Sequence, residues 1–206
     1  TLLEKISELK SCNAILFDIH GEYAPIIGAG IQHYKIAGPG DVPSEQVMFL
    51  PYWLLSYEEV LALMLDRSDS NAPNQAMVFS QAVIQEKTAM LEESGHSDLA
   101  NEITLDSPVP YRISEVIEYL DAKNKEMVPG SNGREKQGDF FGKLSRFLQR
   151  LMAKGNDKRL NFMFSDAEEL LDFSYMEELC KRLMAPASQG GGIKILDFSE
   201  VPSDIL

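Results

Sequence analysis

Two carboxylates and an imidazole crowd the run Phe17-Asp18-Ile19-His20-Gly21-Glu22-Tyr23, directly after the apolar residues 14–16. Side chains of these types at the end of a strand supply ligands to a metal ion or handle a proton. Gly21 lets the backbone turn tightly between them. A second set is cationic. Lys143, Arg146, Arg150 and Lys154 recur at helical spacing, while Leu144, Leu148 and Leu151 mark another face of the same helix. Such a stripe suits DNA phosphates or an acidic neighbour in a ring, and a solvated helix face has the same pattern.

Other conspicuous residues suit packing rather than chemistry. Trp53 with Tyr52, Phe49 and Leu54 forms an aromatic cluster, and Phe162 and Phe164 flank Met163 as core residues. His33 falls in a strand and His96 in a turn, neither with partners that make a ligand set. Cys12 and Cys180 lack C-x-x-C spacing, which fits a reduced, cytoplasmic setting.

The elements that must position these groups divide the chain into three stretches. A helix over residues 1–10, with Leu2, Leu3, Ile6 and Leu9 on one side, leads to an apolar strand at 13–18. Alternation predicts a second strand at 31–36, and residues 47–50 a third. Ser56 and Glu59 then form a capping box, and helices are predicted near 74–93, 113–123, 140–153 and 167–184. The polar, Gly-rich residues 129–138 read as a mobile loop. After Gln189-Gly190-Gly191-Gly192, the run Ile193-Lys194-Ile195-Leu196 returns to a strand that ends in Asp197. The expected domains are therefore a partial sheet at 1–55, a helical insertion at 56–190 and a return strand at 191–206.

Composition narrows the function classes. With 32 acids against 19 bases among 206 residues, the net charge of −13 repels nucleic acid and anionic lipid on average, so any DNA contact must be local. The most apolar stretch, residues 47–55, is about half the ~20 residues of a membrane-spanning helix and contains Pro51, so no membrane partner is expected.

The run Asp18-Ile19-His20-Gly21 matches the D-x-H-G signature of metallophosphatases. A two-metal centre of that kind needs further Asp, Asn and His ligands, however, and only His33 and His96 remain as histidines. Phe17 also stands where that family has Gly. This reading ranks below the two that follow.

Taken with what comes after it, the same run resembles the HerA-type ATPases, relatives of FtsK that move double-stranded DNA through a hexameric ring. Asp18, His20, Gly21, Glu22 and Tyr23 fill that family's D-x-H-G-E-Y run. Residues 50–63 (LPYWLLSYEEVLAL), 106–111 (DSPVPY), 159–164 (RLNFMF) and 193–205 (IKILDFSEVPSDI) resemble its later segments in order. The resemblance implies an α/β fold in which a partial RecA-like parallel sheet, part of a P-loop NTPase core, carries a large all-α insertion. It implies an internal portion of a homo-hexameric translocase that uses ATP and Mg²⁺ in DNA processing or phage defence, with a nuclease or another effector as partner. Asp18, His20 and Glu22 become catalytic candidates, and Gly21 and Asp197 nucleotide-adjacent ones. The phosphate loop and Walker B acids are expected outside these residues. The nearest imitation within them, Gly138 to Leu144, has one residue too few between its glycines and Leu144 at the Ser/Thr position, so the segment alone is expected to bind no cofactor. The alternative is a stand-alone helical interaction module without enzymatic activity.

Overall fold

The computed structural model describes residues 2–165, 167–186, 192–203 and 205. Helix α1 (Leu2–Ser7) precedes strands β1 (Ala14–Asp18), β2 (Ile31–Ile36) and β3 (Val47–Met48). Helices α2 (Tyr57–Met64), α3 (Ala72–Glu93) and α4 (Ile113–Lys125) follow, then the short strands β4 (Met127–Pro129) and β5 (Glu135–Gln137) and helix α5 (Ser145–Gly155). Helices α6 (Asn161–Phe164) and α7 (Ser174–Met184) lead to strand β6 (Ile193–Asp197). The chain forms two compact units, residues 1–51 with 158–206, and residues 52–157.

In the first unit the strands lie in the order β1-β6-β2-β3, all parallel. The fold is thus α/β, as expected of a P-loop NTPase-like core fragment. β6 has neighbours on both sides, and Ile193, Lys194, Ile195 and Leu196 are all buried. Its continuous apolar run suits a strand covered on both faces. Lys194 is the exception in composition, and burial lowers the pKa of its ammonium. It donates to Asn13 Oδ1 at 2.6 Å and to the Ala185 carbonyl. Of the Gly-rich run before β6 only Gly192 is among the described residues, and its carbonyl accepts the Ala14 N–H at 2.7 Å. β3 stops earlier than its apolar run predicts because the Leu50 N–H turns to the Phe162 carbonyl at 2.8 Å.

The helical stretch expected over 56–190 is longer than the compact helical unit. α6 and α7 group with the sheet unit, and their residues bond to the segments that follow β2 and β3: the Tyr175 hydroxyl donates to the Phe49 carbonyl at 2.7 Å, and Asn161 Nδ2 to the Asp41 carbonyl at 3.2 Å. The helix predicted over 167–184 also starts later. Residues Glu168–Leu171 form a 3-10 turn, and the Asp172 carboxylate accepts the Ser174 N–H at 2.7 Å before α7 begins.

Within the helical unit the capping box is formed, with Glu59 N–H on Ser56 Oγ at 3.4 Å and Ser56 N–H on Glu59 Oε2 at 2.8 Å. Val78, Phe79, Leu120, Leu144 and Phe147 fill its core, and the Phe79 and Phe147 rings meet edge to face at 5.6 Å. Burying a side chain such as Phe147 contributes about 1.5–3 kcal/mol. Trp53 is buried as well. The stretch 129–138, read as a loop, instead falls largely within an antiparallel hairpin over 127–137 in which Met127 faces Gln137. No helix among the described residues is long and apolar enough to cross a membrane.

Candidate functional site at the carboxyl edge of the sheet

The parallel register aligns three polar side chains in a row. Asp18 of β1 is the Cα partner of Asp197 of β6, and Asp197 is in turn the partner of Lys35 in β2. In open α/β sheets this carboxyl edge is where ligands bind.

Asp18 is 3% exposed and turns both carboxylate oxygens toward its own loop. Oδ1 accepts the Glu22 N–H at 3.1 Å and Oδ2 the Tyr23 N–H at 3.0 Å. A carboxylate that bonds amides a few residues ahead stabilises a tight turn, and the charge strengthens both bonds. Asp18 therefore shapes the loop, while His20 and Glu22 are exposed on it. The Asp18 carbonyl also accepts the Phe198 N–H at 2.8 Å, and the Phe17 and Phe198 rings lie 5.7 Å apart. The loops after β1 and β6 are thus packed together.

Gly21 sits in that contact at φ 70°. A Cβ there would lie 3.3 Å from both Cβ and Oγ of Ser199 and 3.8 Å from Asp197 Oδ1. The same Asp197 oxygen accepts the Ser199 N–H at 2.9 Å. The Asp197 carboxylate consequently caps its own turn, much as Asp18 does.

Sequence reasoning missed the third member of the rim. Lys35 Nζ bridges Asp41 at 2.9 Å and Glu200 at 3.2 Å, tying the loop after β2 to the loop after β6. The Asp41 and Glu200 bonds raise the Lys35 pKa, and Lys35 with the Gly38 amide lowers that of Asp41. A Cβ at Gly38 would meet the Glu200 carboxylate, so a larger residue there must displace Glu200 from its place beside Lys35. No local pattern marks partners so far apart in the chain.

The basic residues are not one continuous stripe. Lys143 precedes α5, because the turn at Gly142 (φ 73°) delays the helix to Ser145. Lys143 and Arg146 are exposed and line a hollow of about 280 Å³ with Asp69, Ser70 and Asn71. Arg150 is neutralised by Asp66 at 3.0 Å, and Lys154 is half-buried. Asp69 is held below the usual carboxylate range by the Asn71 amide, the Gln75 side chain and the nearby Arg146. Leu144, Leu148 and Leu151 are buried, on a different face from the cations, as the spacing predicts.

A family model described as Helicase HerA, central domain, matches residues 1–206. The chain belongs to this family. No curated protein matches it. As a HerA central domain it is a member of an ATPase and translocase family, and nucleotide and Mg²⁺ are implied for the full-length proteins.

The carboxyl edge does not by itself fit either group. Both oxygens of Asp18 are committed to amides, and one oxygen of Asp197 holds the Ser199 amide. Among the described residues no three His, Cys, Asp or Glu side chains are grouped to hold a metal. No G-x-x-x-x-G-K-S/T run occurs in the 206 residues. In the D-x-H-G run Asp18 holds its own loop through one amide on each carboxylate oxygen. These residues alone assign no step of hydrolysis.

Proposed function

We propose that this HerA central domain is part of a homo-hexameric, ATP-driven translocase of double-stranded DNA. Its sheet presents the 19–23 loop toward the nucleotide edge of the complete core. The observation that carries this reading is the Asp18-capped loop beside Asp197 at the carboxyl edge of an all-parallel sheet. In this reading the phosphate cradle and the Walker B acids come from residues outside 1–206. Asp18 and Gly21 hold the loop's shape, Asp197 fixes the neighbouring turn, and the exposed His20 and Glu22 contact the nucleotide or the adjoining subunit. Lys143 and Arg146, which share their hollow with Asp69 but among the described residues make no ion pair like that of Arg150, face DNA phosphate. The two free cysteines support a cytoplasmic setting, where a nuclease or another effector acts on the same DNA.

The test uses the complete protein carrying Glu22→Gln. ATP turnover at least about tenfold below the parent is expected, in line with loss of a group that acts in the transition state. Turnover equal to the parent's removes Glu22 from the reaction and leaves the loop a structural role.

A further inference from the structure

The backbone groups of successive strand residues point alternately to the two edges of the strand. In β2 the bonds fix which residues face outward. Lys35 and Ala37 donate to the carbonyls of Gln46 and Met48 at 2.9 and 3.0 Å, so the odd-numbered residues face β3. β3 pairs only with Lys35 and Ile36. Before that point the Ile31 N–H is taken by the Gly28 carbonyl at 3.0 Å, and among the described residues no backbone group pairs with the Ile31 carbonyl or with either backbone group of His33 on this edge.

Arg182 of α7 keeps that edge open. If the β2–β3 register continued one step back, the Ser44 carbonyl would meet the His33 N–H. Instead that carbonyl accepts the Arg182 guanidinium at 3.1 Å, and Ser44 Oγ accepts the Val47 N–H at 3.2 Å. The chain is thereby drawn away from β2. The resulting groove of about 790 Å³ lies between the start of β2, residues 45–46 and the α7 side chains Glu178, Lys181 and Arg182. That volume falls within the range of binding clefts. An open strand edge recognises main chain, since it offers donors and acceptors at the spacing of another strand. The charges of both signs along the wall disfavour a lipid tail or a phosphate backbone.

We propose that this groove binds an extended polypeptide segment by strand addition. The segment's backbone pairs with Ile31 and His33, and polar side chains on it meet Glu178 and Lys181. Peptides selected from a random phage-displayed heptapeptide library on the immobilised chain serve as the probe. His33→Pro deletes the outward N–H at an edge position where proline is tolerated, whereas His33→Ala keeps the N–H and removes only the ring, with its contact to the Ile26 carbonyl. Selected peptides are expected to bind His33→Ala within about twofold of the parent and His33→Pro about tenfold more weakly, the loss of one well-made bond. Equal affinity for the two variants, or a library that yields no binder, overturns the proposal. Should His33→Pro fail to fold by circular dichroism, amide exchange at His33 in the parent decides. It slows on peptide addition if the groove takes a strand. Exchange that is unchanged, or already slow without peptide because residues 44–46 close the edge, rejects the proposal.

Discussion

Asp18 and Asp197 stand opposite each other as register partners at the carboxyl ends of two adjacent parallel strands, and each carboxylate caps the turn that follows it. The rim of the sheet is therefore built from backbone amides gathered by acids, and its exposed groups ride on turns whose shape those acids set.

Replacing Asp18 with Asn tests this directly. The amide that replaces one oxygen cannot accept from the loop, so one N–H beside a buried side chain loses its partner at a cost of about 1–3 kcal/mol. Thermal unfolding near neutral pH should show a lower melting temperature. A melt superimposable on the parent's shows that the loop holds without the carboxylate.

Gly21→Ala should act through backbone and packing together. At φ 70° a Cβ costs about 1–2 kcal/mol, and Ser199 must also yield from 3.3 Å. Chemical denaturation is expected to show this loss, and adding Ser199→Gly should recover only the packing share. Full recovery in the double variant means that the backbone conformation carries no cost.

Lys87 gives a pH signature to the helical unit. The residue is 1% exposed, and its ammonium donates to the Leu105 and Ser107 carbonyls at 2.7 and 2.6 Å and lies 5.6 Å from the Tyr111 ring. Burial lowers its pKa to about 8, although Asp106 opposes the shift. The unfolded chain keeps this proton to the ordinary lysine range. Between about pH 8 and 10 the unfolded state thus binds more protons, and stability should rise with pH relative to a Lys87→Met variant. Below pH 8 the difference between the two proteins should be flat. Parallel stability curves throughout this window mean that Lys87 does not titrate early. Burial also raises the Tyr111 pKa, but a tyrosine in the unfolded chain gives up its proton only near pH 10, at the upper end of this window.

Charge reversal separates the cations. Lys143→Glu with Arg146→Glu should weaken binding to double-stranded DNA and flatten its salt dependence by about two phosphate contacts. Arg150→Ala, which removes the surface pair with Asp66, should cost no more than about 1 kcal/mol of stability and leave DNA affinity near the parent's. Fluorescence anisotropy across a salt series distinguishes these outcomes, and an unchanged slope in the double reversal dismisses the phosphate role.

Much of the sheet was legible because its signal is local. Residues 14–18 and 193–197 are apolar runs ending in an acid, and Ser56 with Glu59 spells out a cap. The hairpin at 127–137 was not, since Glu135, Lys136 and Gln137 are all exposed and show no apolar alternation. It is closed instead by backbone bonds, from Gly130 N–H to the Arg134 carbonyl at 2.7 Å and from Gly138 N–H to the Glu126 carbonyl at 2.9 Å. Asp18 was legible as an acid at a strand end. Composition does not separate a reactive carboxylate from one that binds its own loop, because an acid followed closely by glycine suits both.

The bond from Leu50 to Phe162 has a further consequence. It clasps the outgoing and returning passages of the chain at the point where residues 52–157 leave the sheet unit. A segment whose flanking residues are bonded to each other within the sheet unit can be treated as a removable cassette. Excising it and closing the scar with a short glycine linker should leave a sheet unit that still pairs β1 with β6, and equivalent cassettes of other lengths can be exchanged at the same clasp.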